Sequence, residues 1–162
     1  MPTPLTPTQR YIAPGTTKYY WATACADITA PLRAEMEAGI DLSKEVAAAE
    51  NWTVAANRVP TPDLGDKFTG KIGGRVEPGD ASITFHASKT TADVRTVLHR
   101  DDTGFIFILH GGDVAGQKMD VYKVDISSVS KPTNVDGSEN ARIMVAFSLQ
   151  AVAEDVTIPA LS

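Results

Sequence analysis

The side chains that could do chemistry in this chain are few and far apart. Its three histidines are His86, His99 and His110, and its one cysteine is Cys25. A zinc site wants paired ligands, such as two His four residues apart on a helix or a Cys-x-x-Cys. None of the histidines has such a neighbour. His86 falls on the polar side of an expected strand, His99 at a helix end where it would complement the helix dipole, and His110 at a strand end. The lone Cys25 has no local signature of a nucleophile and reads as a small, partly buried apolar residue.

Two further stretches invite a catalytic reading and fail it. "GGDVAG" (Gly111–Gly116) is rich in glycine, but it lacks the G-x-x-x-x-G-K-[ST] pattern and precedes a strand rather than a helix. It reads as a hairpin turn. Asp101 and Asp102 are adjacent on a loop, with nothing to set their pKa values apart as a general acid and base require. No G-x-S-x-G elbow is present. No catalytic, cofactor-binding or metal-binding residue is assigned, and the chain is expected not to be an enzyme.

The elements that carry these residues are mostly strands. "TKYYWATA" (Thr17–Ala24), "NWTVAANRV" (Asn51–Val59) and "SITFHAS" (Ser82–Ser88) are short and rich in β-branched and aromatic residues. Phe105–Leu109 is apolar at every position, as expected of a strand buried on both faces. Val121–Val129 and Ala141–Val152 are long and two-faced. In the first, Tyr122, Val124 and Ile126 oppose Lys123, Asp125 and Ser127. In the second, Ile143, Val145, Phe147 and Leu149 oppose Arg142, Met144, Ala146, Ser148 and Gln150. Between them "KPTNVDGSEN" supplies turn chemistry.

Two helices are expected. The firmer spans Thr91–Leu98, with Thr90 or Thr91 as cap, Asp93 in the first turn and Val94, Val97 and Leu98 as its apolar stripe. The other occupies about two turns from Pro31 to Ala38, with Thr29 as a candidate cap and Gly39 as a stop. The expected fold class is mainly β (α+β), a β-sandwich or barrel of six to eight strands flanked by one helix.

Residues 1–17 read as an extended arm, because Pro2, Pro4 and Pro7 disfavour helix. The main body is expected over 18–153 and a C-terminal tail over 154–162. Within the body, 60–81 holds three prolines and five glycines with no sustained period. A loop that long is uncommon unless it binds something. Leu64, Phe68, Ile72 and Val76 are apolar anchors that a merely solvated loop would lack.

Composition bounds the function class. The chain has 162 residues, 43% hydrophobic and 22% charged, which suits one globular domain without disulfides. Its net charge of −5 argues against a protein that grips phosphate backbones. No apolar run reaches 18 residues, so no transmembrane helix is expected. The first residues lack the apolar segment of a signal peptide.

Taken in order, "RYIAPGTTKYYW", "ITAPLRAEMEAGIDLSKEV", "NWTVAANRVPTPDLGDKFTGKIGGR", "DASITFHASKTTADVRTVLHRDDTGFIFILHGGD", "GQKMDVYKVDISSVSK" and "ARIMVAFSLQAVAEDVTIP" resemble the tail tube (major tail) proteins of long-tailed phages of actinobacteria. The resemblance covers Arg10 to Pro159. It implies a structural virion protein with no cofactor. Six subunits would form a ring, and stacked rings a hollow tube that delivers DNA to the host. Implied partners are further copies of the chain, the tape measure protein, the tail terminator and the distal tail or baseplate proteins. DNA would pass without specific binding and no membrane is involved. The implied location is the virion tail, assembled in the host cytoplasm.

On this reading the polar faces of Met119–Ser130 and Ala141–Ala151 would line the lumen, through Lys123, Asp125, Ser127, Arg142, Met144, Ser148 and Gln150. Phe105–Leu109 would lie under the Thr91–Leu98 helix. The 60–81 loop would reach a neighbouring subunit, with Leu64, Phe68 and Ile72 as anchors and Lys67, Lys71 and Arg75 at a polar rim. Two alternatives remain open here: the inner tube protein of a contractile tail or injection system, and a small ligand-binding β-sandwich.

Overall fold

The computed structural model describes residues 1–161. Among them the chain forms β1 (Lys18–Ala22), α1 (Arg33–Glu37), β2 (Ile40–Asp41), β3 (Val46–Glu50), β4 (Val54–Thr61), β5 (Gly70–Pro78), β6 (Ala81–His86), β7 (Thr103–Leu109), β8 (Lys118–Ser130) and β9 (Arg142–Thr157). Seven strands make one sheet in the order β2-β1-β7-β8-β9-β6-β3, while β4 and β5 form a separate hairpin. All pairings are antiparallel.

The sheet curls into a half-barrel whose two ends are bridged by the chain itself. Leu42 N donates to Tyr19 O (2.8 Å), Tyr19 N donates to Ser43 Oγ (2.9 Å), and His86 N donates to Glu45 O (2.9 Å). One apolar cluster fills the concave side, drawing Trp21 from β1, Ile106 from β7, Val124 from β8, Val145 from β9 and Phe85 from β6. Trp52, Val94 and Leu98 also pack into this cluster from the connecting segments.

A second cluster lies on the convex side, where Phe107, Leu109, Met119 and Val121 meet Met36 of α1. The Phe105–Leu109 run is therefore buried on both faces, with Ile106 and Ile108 in one cluster and Phe107 and Leu109 in the other. The helix above it is not the expected one. Thr91–Leu98 contains only a single 3-10 turn at Val94–Thr96. The Asp93 carboxylate accepts from Ser88 N (2.8 Å), Arg95 N (3.0 Å) and the Arg95 guanidinium, which holds the backbone in a capped turn. The Thr and Val residues there also resist helix. With no helix dipole to complement, His99 instead contacts Asp102 (3.2 Å).

The helix that does cover the sheet, α1, is only five residues long. Glu35 starts it by accepting from Leu32 N (2.9 Å) and Ala26 N (2.8 Å), while Thr29 turns away to Asp27. Gly39 ends it because the backbone passes Trp21 there. A Cβ at that position would lie 2.6 Å from Trp21 O.

One strand lies where no element was expected: the stretch "VAAAE" of β3 favours helix by composition, and its partner β6 makes it a strand. Two further expectations change. The segment 60–81 is not a structureless loop, because its bulk completes the β4–β5 hairpin. Residues 154–157, expected in a C-terminal tail, continue β9, and Val156 and Ile158 are buried. Ser162, the last residue of that expected tail, lies outside the described residues.

Candidate assembly surfaces

The convex face of the sheet is divided. The part formed by β1, β7, the start of β8 and the end of β9 is packed under α1, whereas the part formed by the end of β8, the first half of β9, β6 and β3 has no cover among the described residues. Registers place the side chains of this bare panel in rows. Ser130, Met144, Thr84 and Ala48 form one row across the four strands, and Ser128, Ala146, Ser82 and Glu50 form the next. The intervening row, Val129, Val145, Ile83 and Ala49, points to the core.

The residues expected on a polar strand face fall on or beside this panel. Lys123 is exposed at its border with the helix-covered part, opposite Phe105 and Ala151. Asp125 accepts from Thr103 Oγ1 (2.7 Å) and Gln150 Nε2 (2.6 Å), tying β7, β8 and β9 together on the surface. Ser148 and Met144 are exposed. Arg142 is half-buried, 3.6 Å from Glu139.

Ser127 sits in a register shift, with its hydroxyl bonded to Ala146 O (3.1 Å). That bulge changes the phase of the strand, so Ser128 and Ser130 share the panel face although strict alternation from Asp125 excludes them. Ser82, Thr84, Ala48 and Glu50 were not assigned to this face from the sequence. The alternation of Ser82 and Thr84 was readable, but their place beside β9 required the topology. Lys123 and Arg142 balance Asp125 and Glu50, so the panel has no net formal charge if His86 is set aside.

The second surface is the β4–β5 hairpin. Asp63 Oδ1 accepts from Gly65 N (2.8 Å) and Asp66 N (3.0 Å), and Asp66 Oδ1 from Phe68 N (3.1 Å), so its tip is ordered by its own side chains. Leu64 (108% exposed), Phe68 (78%) and Ile72 (57%) stand in solvent, as do Lys67, Lys71 and Arg75. Contiguous exposed apolar side chains of this size mark interaction surfaces. Arg58, Lys67, Lys71 and Arg75 outnumber Asp63, Asp66 and Glu77 by one in an otherwise acidic chain. The hairpin is rooted in an aromatic group. Trp52 lies 5.0 Å from Tyr122 and 5.3 Å from Phe147 between ring centroids, and its Nε1 donates to Ser82 O (3.2 Å).

The groups that could do covalent or metal chemistry stay apart. His86 contacts Asn140 (2.8 Å) and His110 contacts Asp120 (2.8 Å). Among the described residues no group of three or more His, Cys, Asp or Glu is placed to hold a metal ion. Burial, with Glu35 nearby, pushes the Cys25 thiol up to about 11, away from a reactive thiolate. Gly111–Gly116 joins β7 to β8 as a turn, with Gly112 and Gly116 at positive φ.

The model of the phage tail tube protein family matches residues 4–160. The chain belongs to that family. It is a structural component of a phage tail and not an enzyme. The tail tube fold is also found in solved structures of low identity. The sheath/tube terminator of an extracellular contractile injection system, PVC, superposes with a TM-score of 0.63 at 8% identity, covering 91% of this chain and 98% of its own. The tube-terminating cap of the anti-feeding prophage gives 0.57 at 9%, covering 91% and 93%. A chain of the PVC sheath-tube complex gives 0.55 at 9%, covering 88% and 89%. No curated protein matches the tail tube chain in sequence.

Proposed function

We propose that six copies of this tail tube protein close into a ring, that rings stack into a hollow tube, and that DNA reaches the host through it. The observation that carries this reading is the bare polar panel. A sheet with one face on its own core and the other face uncovered is stable only if that face meets water, and a lumen supplies the water. Lys123, Asp125, Ser127, Arg142, Met144, Ser148 and Gln150 line it on this reading, joined by Ser82, Thr84, Ser128 and Ser130.

The charge balance of the panel bears on DNA passage. Six copies at −5 each carry −30, yet the panel itself is neutral in formal charge. A hydroxyl-rich wall without clustered cations offers phosphates no counterion-releasing contacts, so the duplex slides. Its exclusion from the wall by a strong acidic field is not required.

The hairpin fits the second role, contact with a neighbouring subunit or ring. Leu64, Phe68 and Ile72 become anchors there, with Lys67, Lys71 and Arg75 at the rim. The tape measure protein, the terminator and the distal or baseplate proteins are the partners this assembly requires, and the host cytoplasm is where it forms. The likeness to chains of contractile injection systems favours a second reading, in which a sheath surrounds the tube.

Negative-stain microscopy of the concentrated protein tests the assignment. Tubes with an axial channel are expected. Only monomers at millimolar concentration would overturn it.

A further inference from the structure

We propose that Asp136 is a modification site, at which the chain rearranges by itself through a cyclic imide into an iso-aspartyl linkage. The inference is independent of the ring and tube reading above.

The sequence singles out this position. Asp136 is the only aspartate followed by glycine, and no asparagine is. Imide closure is an attack by the next residue's backbone nitrogen on the side-chain carbonyl carbon. A side chain on that next residue crowds the approach. Asp27, Asp93, Asp113, Asp120, Asp125 and Asp155 all precede Val or Ile, whose branched Cβ crowds it most. Gly137 has no Cβ at all.

The fold leaves this pair free to react. Residues 131–141 join β8 to β9 without strand or helix, and every one of them is exposed. Asp136 Oδ1 accepts from Ser138 N (2.8 Å), and Asn134 Oδ1 accepts from Asp136 N (3.0 Å). A carboxyl bonded to the amide two residues ahead is folded back over the peptide between them, so its carbon is held beside Gly137 N. Among the described residues Gly137 N donates no hydrogen bond that the attack would have to break. Other aspartates are tied elsewhere: Asp93 by Arg95, Asp113 by Arg33, and Asp125 by Thr103 and Gln150.

The chemistry needs only water. Gly137 N bonds to Asp136 Cγ, and its proton leaves with one carboxyl oxygen as water, closing a five-membered imide. Water then adds to one of the two imide carbonyls. Opening the new bond restores aspartate. Opening the original peptide bond leaves Gly137 joined to Cγ, with the former α-carbonyl now a free carboxylate. One water leaves and one enters, so mass and net charge are unchanged.

The product adds one carbon to the backbone between β8 and β9, and Ser138 N loses its acceptor. Ile126, Ile143 and Val145 of the flanking strands stay in the core. The change therefore accumulates with age in a folded subunit.

Only the neutral acid can lose water. The Ser138 backbone amide holds the Asp136 carboxyl below the usual carboxylate range, and Lys131 and Glu139 are the other charges of the loop. The rate should rise as pH falls from 7 to 5.

To test this, the folded protein is kept for weeks at pH 5 and digested with trypsin, and the peptide Val124–Arg142 is fragmented by electron transfer. Iso-aspartate at 136 is expected to lead every other aspartate by roughly fivefold or more, because only Gly137 leaves the attacking nitrogen uncrowded. Circular dichroism should stay unchanged, and in oxygen-18 water the product should carry one heavy oxygen. Gly137→Ala, whose methyl would meet nothing within 4 Å, should slow the reaction severalfold. Should that variant not fold, Gly137→Asn replaces it, since Asn tolerates positive φ. An unmodified position 136 overturns the proposal. So do equal amounts of iso-aspartate at several positions, or a Gly137 variant that reacts as fast as wild type.

Discussion

Arg33 and Asp113 form a two-point ion pair, Nη1 to Oδ1 at 2.6 Å and Nη2 to Oδ2 at 2.8 Å, that pins α1 to the β7–β8 turn. Tyr20 Oη donates to the same carboxylate (3.0 Å). Both charged side chains are mostly shielded, at 13% and 19% exposure. Arg33→Ala leaves Asp113 half-buried with only a tyrosine, and is expected to cost about 1–3 kcal/mol in urea unfolding.

That loss depends on pH. The Arg33 guanidinium holds the Asp113 carboxyl below the usual carboxylate range. A depressed folded pKa stabilises above the unfolded value, roughly 4, and the benefit fades as pH falls through the lower folded value. The gap between wild type and Arg33→Ala should therefore be full at pH 6 and narrow below pH 4. A gap that widens with acid would contradict the pairing.

Val145 and Ser148 separate the two faces of β9. Val145 is 0% exposed in the concave core, whereas Ser148 is exposed on the panel. Val145→Asp buries an unpaired carboxylate and is expected to abolish folding, read by circular dichroism and solubility. Ser148→Asp should fold with a melting temperature near that of wild type. Equal behaviour of the two variants would refute the division of faces.

The hairpin tip can be changed without touching the core. Leu64, Phe68 and Ile72, all replaced by Ser in one variant, keep the Asp63 and Asp66 turn bonds. A folded protein that stays monomeric by sedimentation is expected. Tubes as abundant as those of wild type would remove the hairpin from assembly.

Cys25 is expected to be a poor nucleophile. With its thiol pushed up to about 11, alkylation by iodoacetamide at pH 8 should be many-fold slower in the folded protein than in urea. Equal rates would show that neither burial nor Glu35 governs it.

The long strands were legible because their two faces differ in chemistry. Tyr122, Val124 and Ile126, and Ile143, Val145 and Phe147, alternate cleanly, and all are buried. What escaped depends on partners distant in sequence. Val46–Glu50 is a strand only because Phe85 to Ser82 pair with it. Thr91–Leu98 has helical apolar spacing, yet the Asp93–Arg95 bonds win over it locally. The hairpin was hidden by its glycines, prolines and bulge, which erase any period of two. For the candidate surfaces, the anchors Leu64, Phe68 and Ile72 could be picked out by hydrophobicity alone. Ser128 and Ser130 could not, since the bulge at Ser127 decides which way they face.

The placement of Trp52 bears on how force moves through such a subunit. The indole stands at the foot of the hairpin, wedged against Tyr122 and Phe147, which belong to strands that also carry panel residues. An arm mounted this way has no free pivot. On the proposed tube reading, load applied at its tip would pass into the strands that carry the panel, and neighbours gripping one another by these arms would be stiffened as a single shaft.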